Sequence, residues 1–393
     1  MKLAFRLSAA ICMLLALFGA GCAAVTVQNQ IITDPNAIRL DEASLRLNFV
    51  AESFVYAENY AIQKNAKLFI LPHHIVAGKQ IAGMLESMPN AKRIILLSPD
   101  HFERNVSAFS STDQPFQYTD KLIENDMKLF TSITEIQGIT LDSEIIRKEH
   151  GITALLPYLE TIFPNATVNP IVVSNDLTAE QAKLLVDWLK AEIMRPDTIV
   201  IASIDMSHYL PTEIANFHDE QTMDVIKSLD IDASSKIEID APGVMRLLLT
   251  LAKETNLGRV EIHNHTNSLI LLKAIVSDES TSHLFVSFSP GEPAPPEIHS
   301  YLFCQSGIET RENRLYWGQT EVLPPLIGEE NACVGLVAQK SVPIKTFILP
   351  LEHFESGWRF TKKEDRAKIL SDWENSGKLE SLDKSAKSFY LNK

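Results

Sequence analysis

The chain has 393 residues, 45% hydrophobic and 22% charged, an ordinary globular composition that supports a sizeable core. That length suits one large domain with an appendage, or two domains. A formal net charge of -14 and the lack of a clustered Lys/Arg stripe argue against a nucleic-acid partner, since displacing counterions from phosphates needs a basic footprint.

At the start, Lys2 and Arg6 precede an apolar run from Leu7 to Phe18, too short for a comfortable transmembrane helix and followed by Gly19-Ala20-Gly21-Cys22-Ala23-Ala24. Residues 1–24 therefore read as an export signal. Its ending resembles a bacterial lipoprotein signal, in which the Cys after small residues is lipidated and becomes the new N-terminus. Cys22 would then anchor the protein to a membrane of the cell envelope without spanning it; the alternative is ordinary cleavage after Ala23 or Ala24. Residues 25–41 are polar and lack periodicity, which suits a tether. With Cys12 removed and Cys22 modified, Cys304 and Cys333 remain, and whether they pair in an oxidising compartment stays open.

Leu45 to Tyr60 has helical spacing. An apolar run at Lys67 to Leu71 predicts a strand that ends in Pro72-His73-His74, Ile75 to Met88 a helix closed by Pro89-Asn90, and Arg93 to Leu97 a second strand ending in Ser98-Pro99-Asp100-His101. This is a β-α-β unit, the building block of a parallel sheet. From Phe102 to Lys148 the pattern weakens, with a loop around Gln114-Pro115-Phe116 and a helix predicted from Asp120 to Phe130. An amphipathic run from Glu149 to Pro164 follows, then a strand from Thr167 to Val173 and a helix from Thr178 to Met194 with Thr178 as its N-cap. The run from Thr198 through Ser203-Ile204-Asp205-Met206-Ser207 to His208 reads as a third strand that finishes in His. Helices are predicted at Phe217 to Leu229 and Ala241 to Thr255, and strands at Arg259 to His263 and Ser282 to Ser289. Pro290 to Pro296 marks a boundary. Beyond it come short apolar runs and a charged helical stretch from Lys362 to Trp373. The fold class is α/β: a mainly parallel twisted sheet flanked by helices over 42–292, with a small α+β appendage over 293–393.

Three apolar runs thus finish in His, and in an open α/β sheet ligands bind beyond the carboxyl ends of the strands. His73 or His74, His101, Asp205 and His208 form the leading constellation. Imidazole ligates Fe, Cu, Zn or Ni and can move protons near neutral pH, and a carboxylate beside it can fix its tautomer. Any one of these residues could instead cap a strand end. The chain lacks a glycine-rich dinucleotide motif, a phosphate loop, Cys-x-x-Cys, His-Glu-x-x-His and Gly-x-Ser-x-Gly.

Five blocks in order resemble the Memo family, whose bacterial members include protein B of the AmmeMemoRadiSam system. Pro72-His73 resembles the start of Pro-His-Ala-Gly-Tyr, and Ser98-Pro99-Asp100-His101 resembles Gly-Pro-Ser/Asn-His. Glu149-His150-Gly151-Ile152 with Leu156-Pro157-Tyr158-Leu159 is similar to Glu-His-Ser-x-Glu followed by Leu-Pro-Phe-Leu. Ser203 to Tyr209 is similar to Ser-Ser-Asp-Leu-Ser-His-Tyr, and Thr266-Asn267-Ser268 to a late Ala-Asn-Ser block. The resemblance implies a fold related to class III extradiol dioxygenases, which open catechol rings with non-haem Fe(II). It implies a metal site at His73 and His101, for Fe(II) or Cu, with His208 as acid/base and Asp205 and His150 near the same pocket. Some Memo proteins are thought to use a Cys as third ligand; that position falls near Leu271, which cannot ligate. His74, His263 and His265 are the candidates for the missing donor, His265 being taken with His73 and His101 as the metal set.

Two functions follow: a metal-dependent redox or oxygen-linked enzyme acting on an unidentified small molecule, or a non-catalytic protein using the same pocket to bind a small polar ligand or a protein segment. A serine hydrolase using Ser203 or Ser207 is a weaker third, because neither Ser has a nucleophile elbow. His218-Asp219 reads as a solvated or structural pair.

Overall fold

The computed structural model describes residues 34–295 except 103–106, 119, 211, 236 and 275–278, and beyond them only short strands between 302 and 360. The expected export signal with Cys22, most of the tether, Cys333 and the helix expected from Lys362 to Trp373 lie outside the described residues. The body starts at Asn36. Its first strand, β1 (Ile38–Arg39), falls at the end of the stretch read as tether and pairs with Phe116 and Gln117.

Two helices follow, α1 (Glu42–Leu45) and α2 (Leu47–Val55), where the sequence predicts one from Leu45 to Tyr60. Arg46 separates them with φ 47° and ψ 48°, a left-handed conformation that no continuous helix contains. Then come β2 (Leu68–Leu71), a 3-10 turn (Ile75–Ala77), α3 (Gly78–Ser87) and β3 (Arg93–Pro99), close to the predicted β-α-β unit. The weakly patterned region holds four three-residue strands, β4 (Phe109–Ser111), β5 (Phe116–Tyr118), β6 (Lys121–Ile123) and β7 (Ile139–Leu141), with helices α4 (Met127–Ile133) and α5 (Ser143–Lys148). The helix predicted from Asp120 to Phe130 therefore begins only at Met127. Asp126 caps it, accepting from the Lys128 and Leu129 amides, and the residues before it pair as β6.

The amphipathic run from Glu149 forms α6 (His150–Thr153) and α7 (Leu156–Ile162). Beyond it lie β8 (Thr167–Val173), α8 (Ala179–Ile193), β9 (Thr198–Ser203), β10 (His208–Leu210), α9 (Thr212–Ser228), α10 (Pro242–Glu254), β11 (Arg259–Asn267), α11 (Ser268–Leu272) and β12 (Ser280–Ser289). Thr178 and Gln181 cap α8 reciprocally in a capping box.

One nine-stranded sheet organises these elements. Its centre is parallel, in the order β2-β9-β3-β8. Antiparallel strands complete the edges: β12 flanks β2 and carries β11 and β10, while β4 pairs with β8 and carries β7. Successive side chains of the central strands point to opposite faces, and both faces are buried. Leu68, Ile70, Ile95, Leu97, Val200 and Ala202 pack with α8 and α10 through Leu185, Leu189, Leu247 and Leu251. Phe69, Leu71, Ile94, Leu96, Ile199 and Ile201 meet α3 and α7 through Ile81, Met84, Leu156 and Leu159. Strand β9, last of the four in sequence, lies between the first two, so the ends of β2 and β3 that lead to His73 and His101 flank the end that leads to Asp205, while His208 opens the edge strand β10. Among the described residues no helix is long and apolar enough to cross a membrane.

Candidate functional site

Beyond the carboxyl ends of β2, β9 and β3 opens a cavity of about 990 Å³, whose lining includes His73, His101, His150, Asp205, His208 and Asp240. The chain leaves β2 through Pro72, and the His73 amide donates to Asp205 Oδ1 at 3.1 Å, tying the end of one strand to the loop after its neighbour. The His73 ring is 4% exposed as a residue and is held from behind by Ser203 Oγ, 3.0 Å from Nδ1. Its Nε2 faces Asp240 Oδ2 at 3.2 Å and Asp205 Oδ2 at 3.5 Å.

His101 is fixed in the same manner by a different group. Glu149, fully buried, accepts the His101 amide at 3.1 Å and its ring Nδ1–H at 2.6 Å, and also accepts the Gly151 amide at 2.9 Å, capping α6. One carboxylate thus orients the ring and starts the helix that carries His150. Because Nδ1 carries the proton toward Glu149, Nε2 turns to the cavity, 3.2 Å from Asp240 Oδ2. Asp240 Oδ2 is therefore shared by the two imidazoles, while Oδ1 accepts from the Asp205 amide at 3.1 Å. His150 lies over His101, ring centroids 3.8 Å apart, with the His73 ring 5.0 Å away. His208, the first residue of β10, has its Nε2 4.0 Å from Asp205 Oδ2.

The charges follow from these contacts. Burial opposes protonation of His101, but hydrogen bonds to Asp240 and Glu149 outweigh it and raise its pKa to about 10. Burial also opposes protonation of His73, and the Asp205 and Asp240 carboxylates overturn that, so its pKa too is raised. Asp240 resists ionisation by burial, yet the hydrogen bonds from His101 and His73 bring it down to about 2. For His150 burial and the neighbouring His101 and His73 act together and lower the pKa to about 4. At neutral pH the cluster has a protonated His101, a neutral His150 and an ionised Asp240 between the two deepest rings.

Two donor groups have ligand atoms that all lie within 4.8 Å of one another: His73, His101 and His150; and His73, Asp205 and Asp240. Nitrogen and oxygen donors of this kind suit Fe, Cu or Zn, and His73 and His101 with Asp240 Oδ2, 3.2 Å from both, make two imidazoles and one carboxylate, the set used by non-haem Fe(II) oxygenases. The donor chemistry fits such an ion.

His73, His101, His150, Asp205 and His208 thus converge. His265 does not: on β11 it hydrogen-bonds Asp219 Oδ2 at 2.8 Å and does not line the cavity. His263 bonds Ser287 Oγ at 2.8 Å, and His74 reaches His283 Nε2 at 3.1 Å. His265, which the sequence reading takes as third donor, is in neither donor group; these add His150, or Asp205 and Asp240, to His73. Leu271 is in α11. Ser203 is buried beneath His73, and Ser207 donates to Asp219 Oδ1 at 2.9 Å, so neither hydroxyl is presented to the cavity. His218 and Asp219 are both buried rather than solvated, and Asp219 bonds Ser207 and His265. Sequence reasoning missed Glu149 as the residue that orients His101, and Asp240 altogether. Glu149 had a signal, as a carboxylate opening an amphipathic run; Asp240 had none.

A MEMO1 family protein of Saccharolobus solfataricus is 29% identical over 211 residues, covering 50% of this chain and 73% of that protein. A MEMO1 family protein of Methanosarcina barkeri is 26% identical over 220 residues, covering 52% of this chain and 81% of its own length. Among solved structures, an uncharacterized protein of Escherichia coli K12 aligns with a TM-score of 0.40 and 14% identity, covering 56% of this chain and 99% of that one. Residues 41–278, more than half of the chain, match the Memo-like protein family, and the chain belongs to that family.

Proposed function

We propose that the cavity holds one Fe(II) or copper ion through His73 and His101, with Asp240 and His150 as the further donors, and that the protein uses it in redox or oxygen-linked chemistry on a small molecule while tethered to a membrane of the cell envelope by lipid on Cys22. The observation that carries this reading is the meeting of His73 Nε2 and His101 Nε2 on one Asp240 oxygen, 3.2 Å from each, with both Nδ1 atoms already engaged. Rings held through Nδ1 offer Nε2 in a fixed direction, and carboxylate support makes imidazole a better donor.

The ion, when bound, supplies open coordination positions for oxygen or substrate. The chain's own residues do the rest. Ser203 and Glu149 set the two ring orientations. Asp205 holds the His73 amide in place and lies 4.0 Å from Nε2 of His208, the acid/base of this reading. His150, neutral at physiological pH, covers the His101 face. A second reading, binding without catalysis, is favoured by one fact: Leu271 replaces the Cys that the family resemblance places there. Metal analysis after anaerobic purification separates the two. Stoichiometric Fe or Cu that disappears in His101→Ala supports the enzyme reading, and a metal-free wild-type protein supports the second.

A further inference from the structure

The cavity lining is more balanced in charge than the chain, which carries a net -14: Arg46, Arg147 and Lys148 line it beside Asp205, Glu238 and Asp240. Arg147 and Lys148 are committed elsewhere, both to Glu144 at 2.7 and 3.7 Å. Arg46 has no carboxylate partner among the described residues. The backbone adds a second observation. Arg46 adopts φ 47°, a conformation disfavoured for any residue with a Cβ, at the joint between α1 and α2 where glycine or asparagine would fit better. Such outliers cluster at ligand clamps. Tyr209, which also lines the cavity and is 72% exposed, is left-handed too, with φ 54°, and Phe102 lines the cavity at 45% exposure.

We propose that the cavity binds a small carboxylic acid, its carboxylate paired with the Arg46 guanidinium and its body lying between Phe102 and Tyr209 toward the His73/His101 cluster. A guanidinium matches a planar carboxylate with two parallel hydrogen bonds. The orientation follows from Arg46, which lines the cavity without a carboxylate partner among the described residues, whereas Asp205 and Asp240 already face the His73 and His101 rings. The assignment names the substrate class for the function proposed above and rests on it for the choice of cavity, not for the role of Arg46.

The test uses full-length protein and matched acid and amide pairs as probes: benzoate with benzamide, phenylacetate with phenylacetamide, and hexanoate with hexanamide. Affinities are read by ligand-observed NMR, with metal per chain measured in parallel. At least one acid binds tenfold or more tightly than its amide. Arg46→Gly and Arg46→Asn, both suited to the left-handed joint, keep the thermal midpoint and the metal content but lose that preference, whereas Arg46→Lys keeps part of it. Amides that bind as well as acids, acids that do not bind at all, or an undiminished preference in Arg46→Gly would overturn the proposal. Loss of metal in the wild type alone, with the acid preference intact, would remove the metal reading and leave this one standing.

Discussion

Asp240 presents one oxygen to two imidazoles, and its removal strips both of their shared counter-charge. Asp240→Asn is therefore expected to lower the His101 pKa, followed by NMR of the ring protons, and to weaken Fe(II) or copper binding. Glu149→Gln acts one step further out. It keeps the shape but weakens the charge-assisted bond that turns His101, and a metal affinity lower by about 10- to 100-fold is expected, measured by competition with a chelator. The pH dependence of the metal-free protein follows from the same groups. His101, raised to about 10, contributes stability that is complete below its unfolded pKa of about 6.5 and is lost as pH rises toward 10. His150, His218 and His283, each lowered to about 4, chiefly by burial, stay neutral in the fold while the unfolded chain takes up protons. Their cost grows as pH falls from about 6.5 to 4. Urea midpoints should peak near pH 6.5, and His283→Gln should flatten the acid limb. At this scale the sequence showed His73, His101, His150, Asp205 and His208, because each sits at a block boundary. Asp240 was illegible: it lies between a 3-10 turn (Asp232–Ser235) and α10, with no periodic neighbours and no spacing that ties it to His73 or His101.

Among the elements, the contact of α6 with the end of β3 carries a compensated exchange. A Cβ on Gly151 would lie 2.3 Å from Ser98 Oγ. The resembling family blocks have the reverse arrangement, Gly where this chain has Ser98 and Ser where it has Gly151. Space for one small side chain exists at this contact, and here β3 supplies it. Gly151→Ser should cost about 1–3 kcal/mol by overpacking, and Ser98→Gly in the same chain should recover most of it, measured as a double-mutant cycle in urea. The long apolar runs made β2, β3 and β8 legible to within two residues, whereas β9 ends at Ser203 and His208, read as its end, opens β10; α8 announced itself through Thr178. The strands from β4 to β7 did not, since three residues are too few to establish an alternation. The joint at Arg46 was hidden for a different reason: apolar spacing continues across it, and only the backbone angle breaks the helix.

For the molecule as a whole, the alternation of strands and helices gave the α/β class, and the antiparallel edges were missed because a strand buried on both faces reads alike in either direction. The tether is a prediction at this scale: Cys22→Ser should abolish incorporation of labelled fatty acid and release the protein from the membrane fraction. The threading of β9 between β2 and β3 bears on the order in which the protein matures. Strand neighbours lie about 4.8 Å apart, so before β9 inserts, the strands that bear His73 and His101 have no common neighbour to hold them two spacings apart. Asp240 arrives later still, 35 residues beyond the Asp205 amide that it meets. A nascent chain therefore passes through most of its length before these groups can meet, and their meeting becomes a report that the last central strand has closed.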